Sequence, residues 1–192
     1  MANRTYLYAS NTLPPDVSGE KLRSIGEYSW DVPFLFQLLM SANPQRCRSS
    51  IWDTPESIAI AADYEAGLEK LVTFLNRVEN PVIEPMRNEA IAFLTAPENK
   101  REYLILEAGE IFELSEKPLS GECEQLMAGI ENIDATAEFV LAQLNGTAKT
   151  RGVFGWLDRL LSRKRDPRHP FWEIGLGSWS NILYMQFEDT TG

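Results

Sequence analysis

One histidine and two cysteines are all that this 192-residue chain offers of the side chains that most often bind transition metals or act as nucleophile and base. Cys47 and Cys123 are too far apart for any common zinc-ligand spacing, and two cysteines do not make a disulfide framework. Both are read as reduced thiols. Phosphate-binding glycines are missing: Gly175-Leu176-Gly177-Ser178 lacks a third glycine, and no Walker lysine or Gly-x-Ser-x-Gly elbow occurs. No loop alternates acids around a glycine in the manner of a calcium loop. These gaps lead us to expect neither a cofactor nor a metal. Long apolar runs are missing too, and none approaches the ~20 residues that span a bilayer. Met1 to Tyr8 has no apolar core and no small-residue cleavage site, so no secretory signal is read and a cytoplasmic location is expected.

Positive charge is also scarce. Eighteen lysines and arginines face 28 acids, a formal net charge of −10. The imbalance is uneven. Glu102 to Glu138 holds ten acids and one base, Lys117, whereas Lys149 to Arg168 holds seven bases and two acids. Such a field repels nucleic acid and draws in a cationic protein, with an association rate that falls as salt rises. A negative surface also serves solubility alone.

Apolar residues make up 44% of the chain, enough for a packed core without a staple. Thr5–Ser10 is rich in β-formers and reads as a strand. Asp31-Val32-Pro33 signals a helix start, and the apolar run Phe34–Met40 follows, ended by Asn43-Pro44. Ser57–Ala61 reads either as a short buried strand or as the first turns of a helix capped at Thr54. Leu68, Leu71, Val72, Leu75 and Val78 recur at helical spacing, and a further helix begins at Glu84-Pro85 and closes at Ala96-Pro97. Glu102–Leu106 and Glu110–Leu114 flank Glu107-Ala108-Gly109 and read as a β-hairpin, with Gly109 supplying a positive φ. Ser120 reads as the cap of one long helix with an apolar face from Leu126 to Leu144, stopped by Asn145-Gly146. Trp179–Phe187 alternates like a strand. Tyr184 and Phe187 are placed beside Tyr6 and Tyr8, so that the two termini close one sheet. The sum is a single α+β domain over residues 1–192: a mixed or antiparallel sheet of about four strands with helices packed on it.

Few constellations could carry chemistry. Cys47 and His169 offer a thiol-and-imidazole pairing. Arg46 and Arg48 would lower the thiol pKa, which favours a cysteine enzyme, but no cysteine-enzyme motif surrounds them. Glu107, Glu110 and Glu113 cluster at the expected turn, with Asp53 as a weaker companion. They read either as a charged strand edge or as a docking patch for lysine and arginine. Val153–Lys164 is basic and amphipathic. It reads as a packed helix, an interfacial membrane helix, or an answer to the acidic surface. The tryptophans at 30, 52, 156, 172 and 179 read as core rather than ligand platforms.

Ala2-Asn3-Arg4-Thr5-Tyr6-Leu7-Tyr8, with Arg48-Ser49-Ser50-Ile51-Trp52-Asp53, resembles a family of uncharacterised bacterial proteins. In general character the chain is also similar to the immunity proteins that neutralise secreted bacterial toxins. Those are small, cytoplasmic, often acidic and without an active site. The expectation is a non-enzymatic protein that occludes the basic groove of a cognate toxin; the resemblance transfers no residue, and Glu107, Glu110, Glu113 and Asp53 are candidate contacts by their charge and clustering alone. Nucleic acid and membrane partners are not expected. The alternatives are a small enzyme using Cys47, or a peripheral membrane or scaffold protein using the 153–164 helix.

Overall fold

A computed structural model describes residues 3–14, 22–146 and 168–185. Its centre is a five-stranded sheet. β1 (Arg4–Ser10) lies between β2 (Arg23–Ser29) and β5 (Tyr103–Glu107). β4 (Ala59–Asp63) follows β5, and β3 (Gln45–Cys47) closes the far edge, giving the order β2-β1-β5-β4-β3. Every pairing is antiparallel. The domain is α+β, with one strand more than expected. β2 and β3 carry weak strand signals. Arg-Ser-Ile-Gly-Glu-Tyr-Ser is mostly polar because β2 borders the sheet, and β3 is only three residues long.

Strand alternation divides the sheet into two faces. Leu7, Ala9, Ile25, Ile60, Ala62, Leu104 and Leu106 point toward the helices and form the main core. That core is covered by α1 (Phe34–Leu39), α2 (Tyr64–Asn76), α3 (Glu84–Thr95), α5 (Leu119–Glu131), α6 (Ile133–Leu144) and the short α7 (His169–Glu173). Phe36 is fully buried, with its ring 5.4 Å from Trp179. Gly26 leaves room for that ring: a Cβ there would meet Ser178 O at 2.6 Å and Phe36 Cζ at 3.0 Å. The other face carries Tyr6, Tyr8, Ala59, Ala61, Ile105 and Cys47, covered by Leu13, Leu22, Ile51, Leu183 and Met185.

Three further expectations are corrected. The hairpin at Gly109 does not form: β5 ends at Glu107, and Gly109–Phe112 is a single helical turn, α4. Gly109 is there for close approach, not for φ, because the Trp52 indole lies against it and any Cβ would meet Nε1 at 2.5 Å. The long helix is two, broken at Asn132, and Pro118 rather than Ser120 occupies the cap of α5. Among the described residues the C-terminal strand reduces to one bridge, Trp179 to Gly26. Backbone bonds from Glu27 N to Ser178 O (3.2 Å) and from Ser180 N to Ile25 O (3.0 Å) place it outside β2. Asn181 reinforces this by donating to Ser24 O (2.7 Å) and accepting from Arg23 Nη2 (2.8 Å). Tyr184 stacks under Arg4 at 4.3 Å instead of entering the sheet. Residues 153–167 of the basic segment, and Phe187, lie outside the described residues. Among the described residues no helix is long and apolar enough to cross a membrane.

Candidate functional site

Register places five side chains in one row across the second face: Glu27, Tyr6, Glu107, Ala59 and Cys47. Tyr6 thus sits between two glutamates. A third reaches it from α4, since the Tyr6 hydroxyl donates to Glu110 Oε1 at 3.1 Å. Burial, then the Glu110 charge, pushes the Tyr6 pKa up to about 12, so the phenol stays a donor. Glu110 Oε2 also accepts from Arg4 N at 2.9 Å, and Asn3 Nδ2 donates to Glu110 O at 2.6 Å. This carboxylate therefore fastens the start of β1 to α4. Arg4 lies 3.7 Å from Glu27 Oε1.

Among the described residues Glu107 is the deepest acid, with 1% of its surface exposed. No cation meets it among the described residues. Two short hydrogen bonds do: the Ser49 hydroxyl donates to Oε2 at 2.7 Å and Ser50 N to Oε1 at 2.6 Å. Burial outweighs both and raises the Glu107 pKa to about 7. The same Ser49 oxygen accepts from Ile51 N (3.0 Å) and Trp52 N (2.9 Å). Glu107 and Ser49 therefore pin the loop 48–54 to the sheet, and Trp52 locks onto Gly109 beside them.

The four candidate acids divide into two pairs. Glu107 and Glu110 point inward and hold structure, whereas Glu113 and Asp53 are exposed. The Trp52–Gly109 contact joins the elements that carry the exposed pair: Asp53 follows Trp52, and Glu113 follows α4. Leu114 stands beside Glu113 with 56% of its surface exposed. Asp53, Glu113 and Leu114 are the exposed rim of this junction. The expectation that the tryptophans serve the core fails for Trp172, which is 41% exposed, and for Trp30, which is 60% exposed and held at φ 72°, a region bulky residues rarely adopt.

Strand alternation contained the signal for Glu107, which shares the face of Ile105 and so sits on an apolar side. Ser49, Ser50 and Tyr6 gave no comparable signal, because their roles depend on contacts between distant segments.

Cys47 is 7% exposed, and burial, then the Glu107 charge, raises its thiol pKa to about 12. Arg46, expected to activate it, instead pairs with Glu124 at 2.7 Å. His169 lies near Tyr28 of β2, with Nε2 3.4 Å from Glu173. Cys47 is on the opposite sheet edge, about four strand spacings or ~19 Å away, so the two are not brought together. Cys47 is expected to react with iodoacetamide at neutral pH at under about 1% of the rate of an unfolded control. Mass spectrometry over a time course reads this, and labelling at the control rate would contradict the burial. Among the described residues no group of three or more His, Cys, Asp and Glu side chains is placed to hold a metal ion.

A family model described as a domain of unknown function, DUF7822, matches residues 11–147. The chain belongs to the DUF7822 family. The matched stretch contains the 48–54 loop, the β5–α4 junction and all four candidate acids, but neither β1 nor His169. Searches of curated proteins and of solved structures give no match.

Proposed function

We propose that this DUF7822 protein is a non-enzymatic acidic binding protein, an immunity protein that neutralises a cationic toxin by covering its basic groove. The observation that carries the reading is the split among the acids. Two are spent internally on fixing a loop and a strand, and two are left exposed on the elements so fixed, with the exposed Leu114 next to Glu113 in the chain. A preorganised rim binds without the cost of ordering it, and the net charge of −10 speeds encounter with a cationic surface. The burial of Cys47 and its separation from His169 weigh against the enzyme alternative.

The test is co-expression with the basic C-terminal domain of a secreted protein encoded by an adjacent gene, and the absence of any such gene would itself count against the reading. The parent chain is expected to restore growth, and the double variant Asp53→Lys with Glu113→Lys to restore it poorly. Full protection by that variant would remove the rim from the interface. Turnover of a substrate by the purified chain would remove the reading itself.

A further inference from the structure

The register brings one end of every strand to the same side of the sheet. The chain leaves the sheet there at Asn3 before β1, at Trp30 after β2, at α4 after β5, and in the loop 48–58 that joins β3 to β4. These pieces are linked side by side. Trp30 N donates to Asn3 O at 2.7 Å, and Asn3 Nδ2 donates to Glu110 O in α4. The Trp52–Gly109 contact then joins α4 to the loop. The Asp53–Glu113 rim therefore continues to Trp30. β2 and β5 are two strand spacings apart, roughly 10 Å.

Folding alone would favour a different residue at position 30. The indole is mostly exposed, which forgoes the burial that a tryptophan brings to a core. The positive φ costs a bulky side chain energy that asparagine or glycine would largely avoid. Strain of this kind collects at functional sites. Among the described residues, Trp30 and Leu114 are the large apolar side chains left exposed within the matched stretch 11–147, and both belong to this end of the sheet. Asp53, Glu56 and Glu113 are exposed here as well, and among the described residues no base pairs with them. The nearby bases are held by the chain itself: Arg48 donates to Thr54 O at 3.2 Å, and Arg4 lies between Glu27 and the Tyr184 ring. The surroundings of the indole are therefore open to a cationic partner.

We propose that Trp30 is the aromatic anchor of the interface with the cationic partner. Its indole enters an apolar recess of that protein, while Asp53 and Glu113 face the partner's lysines and arginines. Tryptophan is the residue type that most often carries binding energy when it becomes desolvated at a contact. The bond to Asn3 fixes the backbone at Trp30 beforehand, so less order has to be created on binding. The anchor rests on the binding function proposed above and adds to it the apolar half of the contact.

The probe is the basic C-terminal domain encoded by the adjacent gene, titrated calorimetrically into the full chain at 50 and 300 mM salt. Trp30→Ala is expected to weaken binding about thirtyfold or more at both salt concentrations, because the loss of an apolar contact is not screened. Trp30→Asn separates binding from folding. Asparagine tolerates a positive φ, so this variant should melt at or above the parent temperature and still lose the affinity. Ile182→Ala, at an apolar residue more exposed than Trp30 and outside the matched stretch, should bind like the parent. Undiminished binding by both Trp30 variants would overturn the anchor and leave the acidic rim standing. A loss of affinity in Trp30→Asn that comes with a lower melting temperature would make the residue structural and overturn the anchor too. A parent chain that binds no such domain would end the binding function and the anchor together.

Discussion

Between pH 4.5 and 7 the fold is expected to lose about 3 kcal/mol of stability that Glu107→Gln does not lose. The sign follows from where the proton sits. Below the ordinary carboxylate pKa of 4.5, Glu107 is neutral in both folded and unfolded chains. As the pH climbs toward 7, the unfolded chain ionises freely, while the folded chain keeps its proton because the buried anion lacks a countercharge. Ionisation therefore favours unfolding through that window, and the effect levels off once both states are charged, just above 7. Burial likewise raises the pKa of Asp31, which acts in the same direction, so the difference between parent and variant isolates Glu107. Urea unfolding at several pH values measures it. The two curves should converge at low pH and separate with rising pH, the glutamine variant becoming the more stable. Parallel curves would mean that water or a cation reaches the carboxylate.

Gly67→Ala is expected to cost about 2 kcal/mol and to lower Tm by roughly 4–8 °C, although helix propensity alone favours alanine by about 1 kcal/mol. Gly67 lies within α2, where α1 crosses it, and a Cβ at that position would run into the Leu39 carbonyl oxygen. A backbone carbonyl cannot swing aside as a side chain can. The helices must separate, and Leu35, Leu39, Leu68 and Leu71, all buried, lose packing together. Thermal unfolding followed by circular dichroism reads the result. A melting temperature at or above that of the parent would show that α1 does not rest on Gly67.

The elements that stood out in the chain are those whose signal is local. β1, α1, α2 and α3 each combine a periodic apolar pattern with a proline or a polar break at the boundary. Gly146 ends α6 at φ 68°, as Asn145-Gly146 suggested. β2 and β3 were not legible because edge strands carry polar side chains and take their order from neighbours, as does the 178–180 segment that seals β2. The misread hairpin has a similar cause. Glu110–Leu114 alternates well enough for a strand, but the tertiary pull of Trp52 on Gly109 and of Glu110 on Arg4 and Tyr6 turns it into α4. The four acids were legible as a cluster. Their division into structural and exposed pairs was not, because it depends on Ser49 and Tyr6 arriving from 58 and 104 residues away.

The central claim is that exposed carboxylates on a fixed scaffold grip a cationic protein. Calorimetric titration of the chain at 50 and 300 mM salt with the cationic domain that co-expression identifies as its partner tests it most directly. Affinity should fall with salt, fall about three- to tenfold for each of Asp53→Lys and Glu113→Lys, and lose part of its salt dependence in both. An affinity indifferent to salt and to both reversals would contradict it.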